Sequence, residues 1–148
     1  MKSFKTLFFS IIVLATIFSC TQNKKTDIEF ISAPNNPYPF SKAVKVDNLL
    51  FLAGQIGKNP VTGKLVEDDI ARQTAQVFKN IEVVLKENGS SLDNVVKSTV
   101  ILSDINNFGA MNEVYKTFFK DNYPARTTFE SGLVGKALIE IEVVAVKK

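Results

Sequence analysis

Spacing of the apolar positions divides the chain into short runs of strand character and two longer stretches of helical character. Ile28, Glu29, Phe30 and Ile31 fit a first strand, ended by Pro34, Pro37 and Pro39. Ala43 to Val46 and residues 49–53 flank Asp47 and Asn48, a pair suited to a tight hairpin turn. Asn59, Pro60, Val61, Thr62 and Gly63 are turn chemistry, Pro fixing one dihedral and Gly able to supply a positive one. Ile70, Thr74, Val77, Phe78, Ile81, Val84 and Leu85 then recur at helical spacing. Asp68 or Asp69 caps that helix and Gly89 closes it. A buried strand follows over residues 95–102, and a second helix carries Phe108, Met111, Val114, Tyr115, Phe118 and Phe119 on one side. The spacing assigns the aromatic members of that stripe to core. Strands around residues 126–130 and 138–146 complete the chain.

The order β-β-β-α-β-α-β-β implies an α+β fold, a two-layer sandwich in which one sheet is covered by two helices on one face. Glu140 and Glu142 share a side of the last strand with Val144 and Val146. Carboxylates thus sit on an apolar face that the helices leave uncovered. Such a face often meets another subunit, and a closed oligomer is expected.

Composition narrows the chemistry. The 148 residues include no His, no Trp and one Cys, with 18 Lys+Arg against 15 Asp+Glu. One domain of ordinary size is expected. Without His there is no Ser-His or Cys-His nucleophile pair and no imidazole metal ligand. A lone Cys excludes intrachain disulfides and thiolate zinc clusters. No metal site and no cofactor are expected. Catalysis is left to carboxylates, Arg, Lys, hydroxyls, backbone groups and water.

The first segment is of another kind. Lys2 and Lys5 precede an apolar run over residues 7–18, then Ser19 and Cys20, the three-part layout of an export signal. The ending Ile17-Phe18-Ser19-Cys20 resembles a bacterial lipoprotein signal, with Phe18 bulkier than is usual there. Residues 1–19 are read as signal peptide, Cys20 as the lipidated first residue, residues 20–27 as a polar tether and residues 28–148 as the domain. Anchorage in a bacterial cell envelope, with the domain outside the cytoplasm, follows. An ordinary secretory signal or an uncleaved anchor remains the alternative. Removing residues 1–19 leaves 16 basic and 15 acidic residues. That balance supplies no field for a phosphate backbone, so no nucleic-acid partner is expected.

The densest motif is Tyr123-Pro124-Ala125-Arg126-Thr127-Thr128-Phe129-Glu130, followed by Ile139-Glu140-Ile141-Glu142-Val143. With Ala33-Pro34, Phe40-Ser41-Lys42, Ala53-Gly54-Gln55, Asn59-Pro60, Asn80-Ile81 and Met111-Asn112, it resembles the RidA (YjgF) family of imine deaminases from about residue 33 to the end. The resemblance implies chorismate-mutase-like subunits with a mixed sheet, a homotrimer, and a site in each cleft between neighbours. It also implies cofactor-free hydrolysis of 2-imino acids, or their enamine tautomers, to 2-keto acids and ammonia. Ligands are then small imino or keto carboxylates. On this resemblance Arg126 grips the substrate carboxylate, Thr128 holds water or the imine nitrogen, and Glu140 activates water. Phe40, Ala53 and Gly54 line the substrate.

The chain departs from the family pattern where members commonly have Tyr, Ser and Cys and it has Phe40, Ala53 and Thr128. Tyr38 is the nearest phenol to Phe40. The alternative function is a non-catalytic envelope lipoprotein that holds small carboxylates in the same clefts, with Glu140 idle. Read one at a time, Arg126 could be an ion-pair partner of Glu130, the two Glu residues solvated strand positions, Thr128 a β-former and Gly54 a packing glycine.

If Cys20 carries the lipid, mass spectrometry of membrane fractions will find a processed chain with added lipid mass. Cys20→Ala will abolish that mass; a processed wild-type chain lacking it would remove the anchor.

Overall fold

The computed structural model of the chain describes residues 25–32, 37–119 and 121–147. The signal, Cys20, most of the tether, and Ala33 and Pro34 lie outside them. The strands are β1 (Ile28–Ile31), β2 (Ala43–Val46), β3 (Leu49–Leu52), β4 (Gln55–Ile56), β5 (Val95–Leu102), β6 (Ala125–Glu130) and β7 (Ile139–Val146). The helices are α1 (Ile70–Glu87) and α2 (Phe108–Phe118). One sheet runs β1-β2-β3-β7-β5-β6, with β4 also pairing with β7. Every pairing is antiparallel except β5 with β6. The mixed sheet and two helices agree with the expected two-layer α+β fold. β4 is additional, because two residues carry no periodicity to read.

Local chemistry fixes the element ends. Asp47 takes a φ of 51°, in the left-handed region that Asp tolerates, and the turn sets Ala43 opposite Leu52. Of the two candidate caps it is Asp69 that accepts from the Arg72 N–H, at 2.8 Å. Asn88 is the C-cap of α1, and Gly89 follows at φ +74°.

β7 organises the molecule. Ile139, Ile141, Val143 and Ala145 are buried beneath the helices, while Glu140, Glu142, Val144 and Val146 alternate onto the other face. Ser98, Val100 and Leu102 of β5 join the buried set. From α1, Phe78 stacks on Phe118 at 4.6 Å and meets Tyr115 and Phe119 edge-on. The opposite face carries Phe30 and Phe51, 71% and 40% exposed. Phe108 departs from expectation. It is 41% exposed and outside the core cluster, because its ring is turned to Arg126 on β6 and not to Phe78.

Gln73, on the buried side of α1, ties the helix layer to the start of β7. Its amide oxygen accepts from the Leu138 N–H at 2.9 Å, and its amide nitrogen donates to the Glu67 carbonyl at 3.4 Å. Gly57 makes room for it: a Cβ there would lie 2.8 Å from the Gln73 Cβ. Gln73→Leu keeps the volume and removes the acceptor. Leaving a partly buried N–H unpaired is expected to cost about 1–3 kcal/mol, read as a lower urea midpoint at unchanged slope. A change below about 0.5 kcal/mol, the scatter of ordinary surface substitutions, would show that the bond does not hold the layers together.

Candidate active site in two halves

On the open face, Glu140 rises from β7 beside the turn between β3 and β4. A Cβ on Gly54 would lie 2.0 Å from the Glu140 Oε1. Gly54 is therefore a close-approach glycine, and the group that approaches is this carboxylate. Ala53 next to it is fixed by its N–H donating to the Lys42 carbonyl at 3.0 Å and by its own carbonyl accepting from the Gln55 amide at 3.2 Å. From Ala53 an open cavity of about 850 Å³ extends between Phe30, Tyr38, Phe40, Val44 and Phe51. The Tyr38 and Phe40 rings stack at 5.7 Å, which places the Tyr38 phenol in the same wall as Phe40.

The second half lies at the sheet edge. β6 pairs with β5 in parallel, Ser98 opposite Arg126 and Val100 opposite Thr128. Ser98 and Val100 are core residues, so Arg126 and Thr128 lean to the helix side. The Arg126 guanidinium carbon lies 4.5 Å from the Tyr115 ring centre and 5.6 Å from that of Phe108. Arg126 also lines a cavity of about 360 Å³ with Asn112, Glu113, Lys116 and Tyr123. The Thr128 hydroxyl is buried and, among the described residues, has no hydrogen-bond partner. The ion pair of Arg126 with Glu130 does not form. Glu130 instead accepts from the Ile105 N–H at 2.8 Å.

These halves do not meet in one chain. Ile101, opposite Glu140, alternates with buried Val100 and Leu102, so Glu140 stands on the face away from α2 while Arg126 stands on the face toward it. The structure sets Gly54 against Glu140, puts Phe40 and Ala53 in the wall of one cavity, and leaves Arg126 and Thr128 on the same side of β6. Joining the two groups takes a second copy. Among the described residues neither Arg126 nor Glu140 is in an ion pair. Nor do three or more His, Cys, Asp or Glu side chains gather there as a metal-ligand set. Helical spacing did not show that the Phe108 and Tyr115 rings lie against Arg126. Their helical spacing reads as core, and only the parallel β5–β6 register shows what they face.

Three comparisons place the chain among known proteins. The sequence profile described as Endoribonuclease L-PSP matches residues 30–147. A human protein named 2-iminobutanoate/2-iminopropanoate deaminase is 43% identical over 81% of this chain and 88% of its own. A RutC family protein of Pyrococcus abyssi is 48% identical over 78% of this chain and 92% of its own. Among solved structures, a Rid family protein from Yersinia pestis superposes with a TM-score of 0.76 at 42% identity, over 81% of this chain and 99% of that one.

Burial raises the Tyr115 pKa above 10.0, while its hydrogen bond to Ser98 (2.7 Å) and the adjacent Arg126 charge draw it back in part. A phenol whose folded pKa is raised contributes stability fully below the unfolded value. That contribution is lost as pH rises through the folded one. Stability is therefore expected to fall as pH climbs above 10.0, and Tyr115→Phe to flatten the decline. Denaturant midpoints from pH 9 to 11.5, roughly spanning the tyrosine range, check this. Parallel curves for the two proteins would contradict it.

Proposed function

The chain belongs to the RidA (YjgF) family, and on that premise we propose that it hydrolyses 2-imino acids to 2-keto acids and ammonia in clefts between copies of itself. The observation that carries the reading is the separation just described. A carboxylate pressed onto Gly54 and a guanidinium held at a sheet edge lie on opposite faces, each outside any ion pair among the described residues. A homotrimer, the assembly the family implies, sets one face of each copy against its neighbour and covers the exposed Phe30 and Phe51.

In that cleft Arg126 takes the substrate carboxylate as a two-bonded fork, which fixes the plane of the C=N bond. Glu140 accepts a proton from water as its oxygen adds to the imine carbon, giving a carbinolamine. The same proton passes to nitrogen. The carbinolamine hydroxyl then gives its proton through Glu140 to that amino nitrogen, the C–N bond breaks with its electron pair going to nitrogen, and the ketone forms as ammonia leaves. Water and imine are consumed, keto acid and ammonia appear, and Glu140 returns to its starting state. The orphaned Thr128 hydroxyl supplies a contact to water or to the imine nitrogen. The imine carbon is already electrophilic, so positioning and charge suffice. RNA cleavage fits less well. No His is present for general acid-base work, and basic and acidic residues nearly balance. Export and a lipid on Cys20 belong to the same proposal, and require a source of imine outside the cytoplasm.

The test couples the domain to an amino-acid oxidase and traps surviving imine with semicarbazide. Wild type should lower semicarbazone formation in proportion to its concentration. Arg126→Ala and Glu140→Ala should each abolish that effect. Mixing the two variants through an unfolding and refolding cycle should restore about a quarter of wild-type activity, because random reassembly leaves that share of clefts with both halves intact. No restoration would place both residues in one chain's site. Keto acid binding without turnover in wild type would establish the non-catalytic carboxylate binder instead.

A further inference from the structure

Arg126 needs something to hold it, and the described residues offer no carboxylate for that purpose. Its guanidinium lies against two rings instead, Tyr115 at 4.5 Å and Phe108 at 5.6 Å, both inside the range of cation–π attraction. The difference matters for a residue that binds anions. An ion pair occupies the N–H edge and offsets the charge. A ring brings no full charge, so a guanidinium held this way keeps its charge for a ligand.

The two rings are held by separate means. Tyr115 is 3% exposed, anchored through its hydroxyl to Ser98, the residue opposite Arg126 in the strand register. Phe108 is the first residue of α2 and contributes nothing to the core cluster. Its position relative to β6 is set by the Glu130 carboxylate, which accepts from the Ile105 N–H in the turn that leads into α2. One strand thus carries both the guanidinium and the group that fixes the turn before its second ring. The Phe108 ring is 41% exposed and lies outside the core cluster, so packing beneath the helices does not account for its place. Its contact with Arg126 does.

We propose that Phe108 is a positioning residue: with Tyr115 it packs against the Arg126 guanidinium and holds it, already ordered, for the substrate carboxylate. The proposal rests on the reading of Arg126 as carboxylate anchor. An unclamped Arg samples many rotamers that binding must then freeze, so loss of the clamp weakens ground state and transition state alike. KM for 2-imino acids should rise while kcat holds.

The test measures kcat and KM with freshly generated 2-imino acid, and titrates the assembled protein with 2-oxobutanoate and with its uncharged amide. Phe108→Leu and Phe108→Met should raise KM and the 2-oxobutanoate Kd about three- to thirtyfold, the span of cation–π strengths. They should leave kcat within about twofold and the amide Kd unchanged, which a merely structural defect would not do. Phe108→Trp should restore wild-type behaviour. The clamp is overturned if Arg126→Ala abolishes binding while both Phe108 variants bind as wild type, or if their loss falls on kcat or equally on the amide. Retained binding and turnover in Arg126→Ala would instead remove the anchor reading on which the clamp depends.

Discussion

A strand has two sides, and the two-residue period of β7 is the constraint on which this structure depends. The strand pairs with β3, β4 and β5, so its alternation decides what the helices cover and what they leave open. Four small or β-branched apolar residues fill the space beneath α1 and α2. The residues between them include the carboxylate proposed to do the chemistry. A one-residue slip would bury Glu140 and Glu142 in the apolar layer, at a cost far above that of a lost hydrogen bond. The core and the open half of the site are therefore specified by the same residues.

Much of this was legible in the chain. The Asp47-Asn48 hairpin, a cap at Asp68 or Asp69 and both faces of α1 were readable because each depends on neighbours within a turn or two. β4 was not, since two residues carry no period and its pairing is with a strand 84 positions further on. The role of Phe108 was hidden for a related reason. Helical spacing says which side of α2 is apolar, but what that side meets depends on β6 lying parallel to β5, a long-range fact.

Site chemistry shows the same division. Arg126, Thr128 and Glu140 could be named from residue type and family resemblance. Gly54 could be named as lining the substrate or as a packing glycine, though not that the group packed onto it is Glu140. That Arg126 and Glu140 stand on opposite faces emerges only when β5 is read against both partners, Ser98 to Arg126 on one side and Ile101 to Glu140 on the other. Sequence supplies the reactive groups; the sheet supplies the separation between them.

That separation bears on when the protein can act. On the proposed reading a folded chain by itself is inert, however well formed, because no motion short of unfolding carries a side chain through a sheet. The arrangement is a zymogen with no pro-segment. On that reading, activity appears only where copies have met. Assembly thus precedes catalysis, and whatever weakens the contact between copies lowers activity without touching a reacting group.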